Sequence, residues 1–191
     1  LINWCQFLQT PFFSVIGNHD ITGYNLKSVR NSALGVLFES SAVEQLDEEI
    51  YEKEKLVIRG AHCQLDHLMD VLIDKSAPNP YLFPEKYDGW TKIVVSHNYV
   101  IPSDSMPFGF VHPKDIPTNA DLVLCGHYHV PFDYQNGKTR WLNPGAIARW
   151  SMDQKDRVPT VVILEVDEGT LAVIKKPLTS AKPASSLFDL E

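Results

Sequence analysis

Three short polar clusters carry residue types suited to holding cations: Gly17-Asn18-His19-Asp20, Ser96-His97-Asn98 and Gly126-His127-Tyr128-His129. Neutral imidazole is the commonest metal ligand among side chains, and Asn offers a hard carbonyl oxygen. In an extended His-x-His the two rings lie on the same side, close enough to serve adjacent ions. A mixed His, Asn and carboxylate set suits manganese, iron, zinc or nickel better than calcium or magnesium. Taken singly, each cluster has a plainer explanation. A lone His-x-His is more often surface or core, Gly-Asn-His-Asp is a favourable turn, and His97 alone fits a satisfied buried histidine. Their joint placement is what gives them weight.

That placement is set by the elements around them. Each cluster directly follows an apolar run that reads as a buried strand: residues 12–16 before Gly17, 92–96 before His97, and 121–125 before Gly126. In α/β sheets, ligand-binding groups collect beyond the carboxyl ends of strands. The rest of the chain supplies more alternating elements. Residues 1–8 read as the end of a helix and 55–60 as a strand. Residues 64–73 read as a helix with Leu65, Leu68, Met69 and Leu72 on one side. The acidic stretch 44–54 is expected to be a solvated helix. Asn136-Gly137 signals one hairpin, and the alternating runs 160–166 and 170–175 signal another. The expectation is an α/β fold in one domain, 1–176, with a mobile Pro/Ser/Ala-rich tail, 177–191.

The chain has 191 residues, 44% hydrophobic and 21% charged, the profile of an ordinary soluble globular domain. No apolar run reaches the roughly 18 residues a membrane span needs. The opening Leu1-Ile2-Asn3-Trp4-Cys5 lacks a basic segment, a signal core and an initiator Met, and reads as starting inside a longer gene product. Cys5, Cys63 and Cys125 form no disulfide framework, which suits a reducing, cytoplasmic setting. The net charge of −7 argues against a general nucleic-acid binder. The charge is uneven: residues 1–137 hold 9 Lys/Arg against 17 Asp/Glu, residues 138–191 hold 8 against 7. A polyanion would have to be gripped locally, by cations and the later basic residues.

The order of the three clusters resembles the calcineurin-like metallophosphoesterases, whose members carry Asp-x-His, Gly-Asp-x-x-Asp, Gly-Asn-His-Asp/Glu, a His after a strand, and Gly-His-x-His. The last three are present here, over roughly residues 12–165. The first two have no counterpart upstream of Gly17; either the sequence omits them or another chain supplies them. The resemblance implies a β-sandwich flanked by helices in four layers, here without its first strands. It implies two divalent cations, with manganese expected and iron, zinc or nickel admissible. Asn18, His97 and His127 would ligate one ion, and His129 would complete the other. His19 would be the non-ligand histidine that protonates the leaving oxygen, with Asp20 orienting it and raising its pKa. Two cations about 4 Å apart would clamp the phosphate and activate an attacking hydroxide. The chain alone is expected to bind metal weakly and turn over poorly.

Asn143-Pro144-Gly145-Ala146-Ile147-Ala148-Arg149-Trp150-Ser151 is similar to the Pro-Gly-Ser-x-x-Arg segment of SbcD-like DNA repair nucleases, with Ala146 where Ser is usual. Arg149 would then contact a backbone phosphate, and Lys138, Arg140, Arg157, Lys175 and Lys176 would extend the track. Small phosphodiesterases of the superfamily share an Asn-Pro-Gly-Ser turn but usually carry Cys where His19 stands. The first reading is therefore a manganese-type DNA nuclease. A small-molecule phosphodiesterase or phosphatase on the same scaffold stands second, and a non-catalytic binding piece third. An ABC-type ATPase partner follows from the nuclease resemblance alone, and a homodimer is left open. His62, His67 and His112 are assigned to no metal. Tyr99, Tyr128 and Trp150 are as readily packing as groove lining. The apolar island 185–190 is either a docking peptide or a loose end.

Overall fold

The computed structural model describes residues 2–8, 10–47, 51–74, 76–104, 109–149, 152–167, 169–183 and 186. Its elements are α1 (Ile2–Leu8), β1 (Phe13–Ser14), α2 (Ala33–Glu39), β2 (Glu44–Gln45), β3 (Tyr51–Lys53), β4 (Leu56–Ala61) and α3 (Leu65–Ile73). They continue with β5 (Thr91–Ser96), β6 (Leu122–Cys125), β7 (Phe132–Asn136), β8 (Thr139–Asn143), β9 (Thr160–Asp167) and β10 (Thr170–Pro177), joined by loops and short 3₁₀ turns.

Six strands form one sheet in the order β3-β4-β5-β6-β8-β7. The inner four run parallel, and β3 and β7 close the edges antiparallel. Period-two alternation sends side chains to both faces of this sheet, and both faces are apolar because both are covered. Val57, Val94, Val123 and Trp141 face the side packed by Tyr81, Tyr87, Val100 and Leu68 of α3. Leu56, Ile58, Ile93, Leu122 and Leu142 face the other, where Val162, Leu164, Leu171 and Val173 of the β9–β10 hairpin lie against them. The result is the α/β fold that the sequence pattern implies, built on one central sheet.

Register brings the site together. Ala61 pairs with Ser96, and Ser96 with Cys125, so β4, β5 and β6 end level with one another. The loops that follow them leave from one edge of the sheet. Beside them, β1 pairs in parallel with β2, Phe13 against Glu44 and Ser14 against Gln45, and delivers residues 15–20 to the same edge.

One expected element is corrected. Residues 44–54 form no helix among the described residues; they give β2 and β3 around the undescribed 48–50. The alternation of Tyr51-Glu52-Lys53 lets β3 pair back on Leu56–Ile58 of β4. The tight turn between them puts Glu54 and Lys55 at φ 48 and 64. Acidic residues on an exposed edge strand mimic the charge pattern of a solvated helix. The anticipated 12–16 strand shortens to two paired residues. Both hairpins form where expected, and β10 runs on to Pro177, after which the Leu178 N–H donates to the Pro159 carbonyl at 2.8 Å. Trp150, Ser151 and all of the 185–190 island except Ser186 lie outside the described residues. No helix among the described residues is long and apolar enough to cross a membrane.

Candidate metal centre

The Gly17-Asn18-His19-Asp20 loop is a single 3₁₀ turn. Its Asp20 carboxylate accepts the Gly17 N–H at 2.9 Å, and the Asp20 N–H donates to the Gly17 carbonyl at 3.1 Å. Asp20 thus closes its own loop, and its negative charge is felt by His97. Asn18 is half-buried, and His19 beside it is exposed.

His97 leaves β5 into this loop: its Nε2 lies 3.2 Å from Asn18 Oδ1. Its backbone N–H donates to the Ala61 carbonyl at 3.0 Å. Room for the ring is made by two glycines, one from each neighbouring motif. A Cβ on Gly126 would lie 2.8 Å from His97 Nδ1, and one on Gly17 would lie 3.1 Å from His97 Nε2. The glycines in the two motifs therefore serve the imidazole of the third. His127 packs its ring edge-on to His97 at 5.4 Å between centroids, and Tyr99 covers it at 4.7 Å. His127 holds φ at 65, a left-handed value uncommon for a side chain other than Asn, Asp or Gly.

The electrostatics favour neutral rings. Burial, then the charge of His127, pulls the His97 pKa down to about 4, with Asp20 opposing. Burial, then His129 and His19, lowers that of His127. These couplings bring His19 and His129 into the same cluster. Both half-buried rings keep a lone pair at neutral pH, the form that ligates metal.

Whether the donors fit a cation is tested by His127. Its Nδ1 is buried and has no hydrogen-bond partner. A buried polar atom left unsatisfied costs about 1–3 kcal/mol, and such an atom is retained where something else binds it. His127 Nδ1, His97 Nε2 and Asn18 Oδ1 together offer two nitrogens and one oxygen, a set that fits a divalent transition metal. Among the described residues, no three His, Cys, Asp or Glu side chains form a cation site by themselves. Two imidazoles and an amide oxygen make half of a coordination shell, and this sequence contains neither Asp-x-His nor Gly-Asp-x-x-Asp to add carboxylates.

Two supports escaped the sequence reading. Behind His97, Tyr81 Oη lies 2.7 Å from Ser96 Oγ and accepts from Asn98 Nδ2 at 3.0 Å. The Asn98 N–H donates to Ser96 Oγ at 3.2 Å, and Asn98 Oδ1 accepts the Gln64 N–H at 3.1 Å. All three side chains are buried, and burial drives the Tyr81 pKa far above the usual phenol range. A Ser and an Asn flanking His97 on a buried strand were the available signal. The second support holds His127-Tyr128-His129. Buried Asn143 donates to the Tyr128 carbonyl at 2.6 Å and accepts the Gly145 N–H at 2.7 Å. Arg157 donates to the carbonyls of His129, Ala146 and Ala148. Gly145 sits at φ +79, where a Cβ would lie 2.9 Å from the His129 carbonyl.

Arg149, expected to contact a phosphate, is engaged within the protein. Its guanidinium donates to the carbonyls of Lys155, Arg157 and Lys182. Arg140 and Lys175 are likewise engaged, both on the Asp133 carboxylate. The cleft beside the histidines, about 480 Å³, is lined by Val15, Leu124, Ile147 and Val162 as well as His97, His127 and His129. A larger cleft of about 810 Å³, at the start of β4, contains Lys53, Glu54, Lys55 and Asp167 but no histidine.

Among solved structures, 36 chains match this one. One of these crystal structures aligns with 93% of this chain and 71% of its own, at TM-score 0.51 and 12% identity, a likeness of fold alone. No curated protein matches. The family model described as the calcineurin-like phosphoesterase superfamily domain matches residues 2–169. Since that match takes in all three histidine motifs and most of the sequence, the chain belongs to the calcineurin-like phosphoesterase superfamily.

Proposed function

We propose that this chain carries the histidine half of a divalent-metal phosphodiesterase site. The single observation behind it is Asn18 Oδ1 lying 3.2 Å from His97 Nε2, with the His127 ring 5.4 Å from that of His97 and its buried Nδ1 without a hydrogen-bond partner. Asn18, His97, His127 and His129 would hold the cations, with manganese the first to try. When bound, the cations would supply electrophilic activation of the phosphoryl group and acidify an attacking water. His19, exposed and off the ligand set, would hand a proton to the departing oxygen. Asp20 keeps the loop closed through Gly17 and would thereby present His19 to the substrate.

DNA is the first substrate class for this reading, in line with His19 standing where small phosphodiesterases usually carry Cys. A small diester is the second, and the engagement of Arg149 with three carbonyls favours it, since that removes the leading residue of the DNA track. An ATPase partner follows only if DNA is cleaved.

The test compares Mn-dependent hydrolysis of linear DNA and of bis-p-nitrophenyl phosphate by the whole gene product, with wild type beside His19→Ala. Hydrolysis lost on chelation and reduced about 100-fold in His19→Ala, with metal still bound, is the expected result. Hydrolysis unchanged in His19→Ala would remove its acid role. No cleavage of either substrate in the presence of bound metal would sink the phosphodiesterase reading.

A further inference from the structure

Four consecutive residues at the carboxyl end of β4 each reach one of the two loops that hold Asn18 and His97. The Ala61 carbonyl accepts the His97 N–H at 3.0 Å, and the Cys63 N–H donates to the Ile16 carbonyl at 2.9 Å. The Gln64 N–H donates to Asn98 Oδ1 at 3.1 Å. His62 takes part through its side chain: its Nδ1 accepts the Ile16 N–H at 3.0 Å, and its Nε2 lies 3.2 Å from Asp47 Oδ1. Since Nδ1 is an acceptor, the ring proton sits on Nε2 and is donated to the Asp47 carboxylate.

The geometry leaves little slack. Ile16 is 1% exposed, so its N–H depends on a protein partner. Ile16 is followed by Gly17 and then Asn18, and both of its peptide groups are fastened to the 61–64 segment. Asp47 is fastened as well: its carbonyl accepts the Gly60 N–H at 3.1 Å. A Cβ on Gly60 would fall 1.7 Å from the Leu46 carbonyl, so the two segments touch backbone to backbone.

We infer that His62, oriented by Asp47, is a positioning residue that sets where Asn18 stands relative to His97. Its effect on turnover rests on the phosphodiesterase reading above; its effect on the loop and on metal affinity does not. A ring that merely fills space would act through stability alone. A ring that positions Asn18 acts through the Ile16 hydrogen bond, and Asn, whose Oδ1 can stand where Nδ1 stood, should rescue it.

The experiment uses the whole gene product and the variants His62→Phe, His62→Asn and Asp47→Asn. It reads Ile16 amide exchange and the His62 ring ¹⁵N tautomer by NMR, Mn²⁺ affinity by calorimetry, and kcat and KM on bis-p-nitrophenyl phosphate. In His62→Phe, Ile16 exchange should rise and Mn²⁺ affinity fall, each about tenfold, with kcat falling more than KM changes. His62→Asn should restore Ile16 protection and most of the affinity. Normal Mn²⁺ affinity in His62→Phe despite lost Ile16 protection would overturn the proposal, as would an Asn variant that restores protection but not affinity. Should His62→Phe fail to fold, Asp47→Asn decides: the Nε2–H tautomer should lose population and affinity should drop a fewfold, and no change in either overturns it. A wild-type protein that binds Mn²⁺ without hydrolysis defeats the phosphodiesterase reading while the exchange and affinity arms still judge His62.

Discussion

The two histidine-bearing arms of the site rest on different foundations. The His97 arm stands on a buried network of Tyr81, Ser96 and Asn98 and is walled by the backbones of Gly17 and Gly126. The His127–His129 arm hangs on side-chain bonds from buried Asn143 and half-buried Arg157 to the backbone carbonyls of half-buried Tyr128 and exposed His129. A buried network has no water to replace a lost partner, so its members tolerate little change. A clamp that solvent can reach has a substitute at hand. The first arm should therefore fail abruptly and the second by degrees.

The largest effect should come from the glycine walls. Gly126→Ala forces His97 aside from 2.8 Å contact, and a displacement of that order costs about 100-fold in turnover. Gly17→Ala, at 3.1 Å, should lose far less, and Mn²⁺ titration with diester kinetics would show the ranking. Equal losses would break the idea that Gly126 is the tighter wall.

Next come the two asparagines. Asn98→Ala strands the Gln64 N–H and leaves buried Tyr81 Oη with Ser96 alone, and urea unfolding should show a loss of about 2–3 kcal/mol. Asn143→Ala frees the Tyr128 carbonyl and the Gly145 N–H, both on half-buried residues that water can reach, and should cost about 1 kcal/mol while slackening the His129 loop. Reversed magnitudes would invert the comparison.

Acid separates the arms in another way. The folded pKa of His97, about 4, lies below its unfolded value near 6.5. Between those values the unfolded chain binds more protons, so the metal-free protein loses stability as pH falls from about 6.5 to about 4, by roughly 2 kcal/mol. Substituting His97→Gln should flatten that part of the stability curve, and an unchanged slope would contradict the burial effect.

The smallest effect belongs to Asp133, which Arg140 and Lys175 hold well below the carboxylate range while joining β7, β8 and β10. Its contribution is present above pH about 4 and lost as pH falls below it. Since the pair is partly exposed, Asp133→Asn should cost under about 1 kcal/mol near neutrality, and less in high salt. Thermal melts at two ionic strengths would measure it.

Sequence reading recovered the strands whose ends carry the histidines, because 92–96 and 121–125 are apolar on both faces and end in polar loops. It recovered both hairpins from Asn136-Gly137 and the alternation around Gly169. It misread 44–54, where an edge strand and a solvated helix share one composition. The site residues were visible as motifs; their supports were not. Nothing local in Tyr81, Asn143 or Arg157 shows that each bonds across long stretches of chain. His62 looked like a bystander because its partner, the Ile16 N–H, lies 46 positions away.

The three free thiols lie buried at separate places: Cys5 on α1, Cys63 beside His62, and Cys125 immediately before Gly126. Burial alone drives the Cys125 thiol far above its ordinary range and raises Cys63 less. A thiol in that state reacts only when the structure around it opens. The molecule thus carries its own alkylation clock. The labelling rate at Cys125 times the opening of the β6 end, the rate at Cys63 times release of the segment tying Asn18 to His97, and Cys5 times detachment of α1.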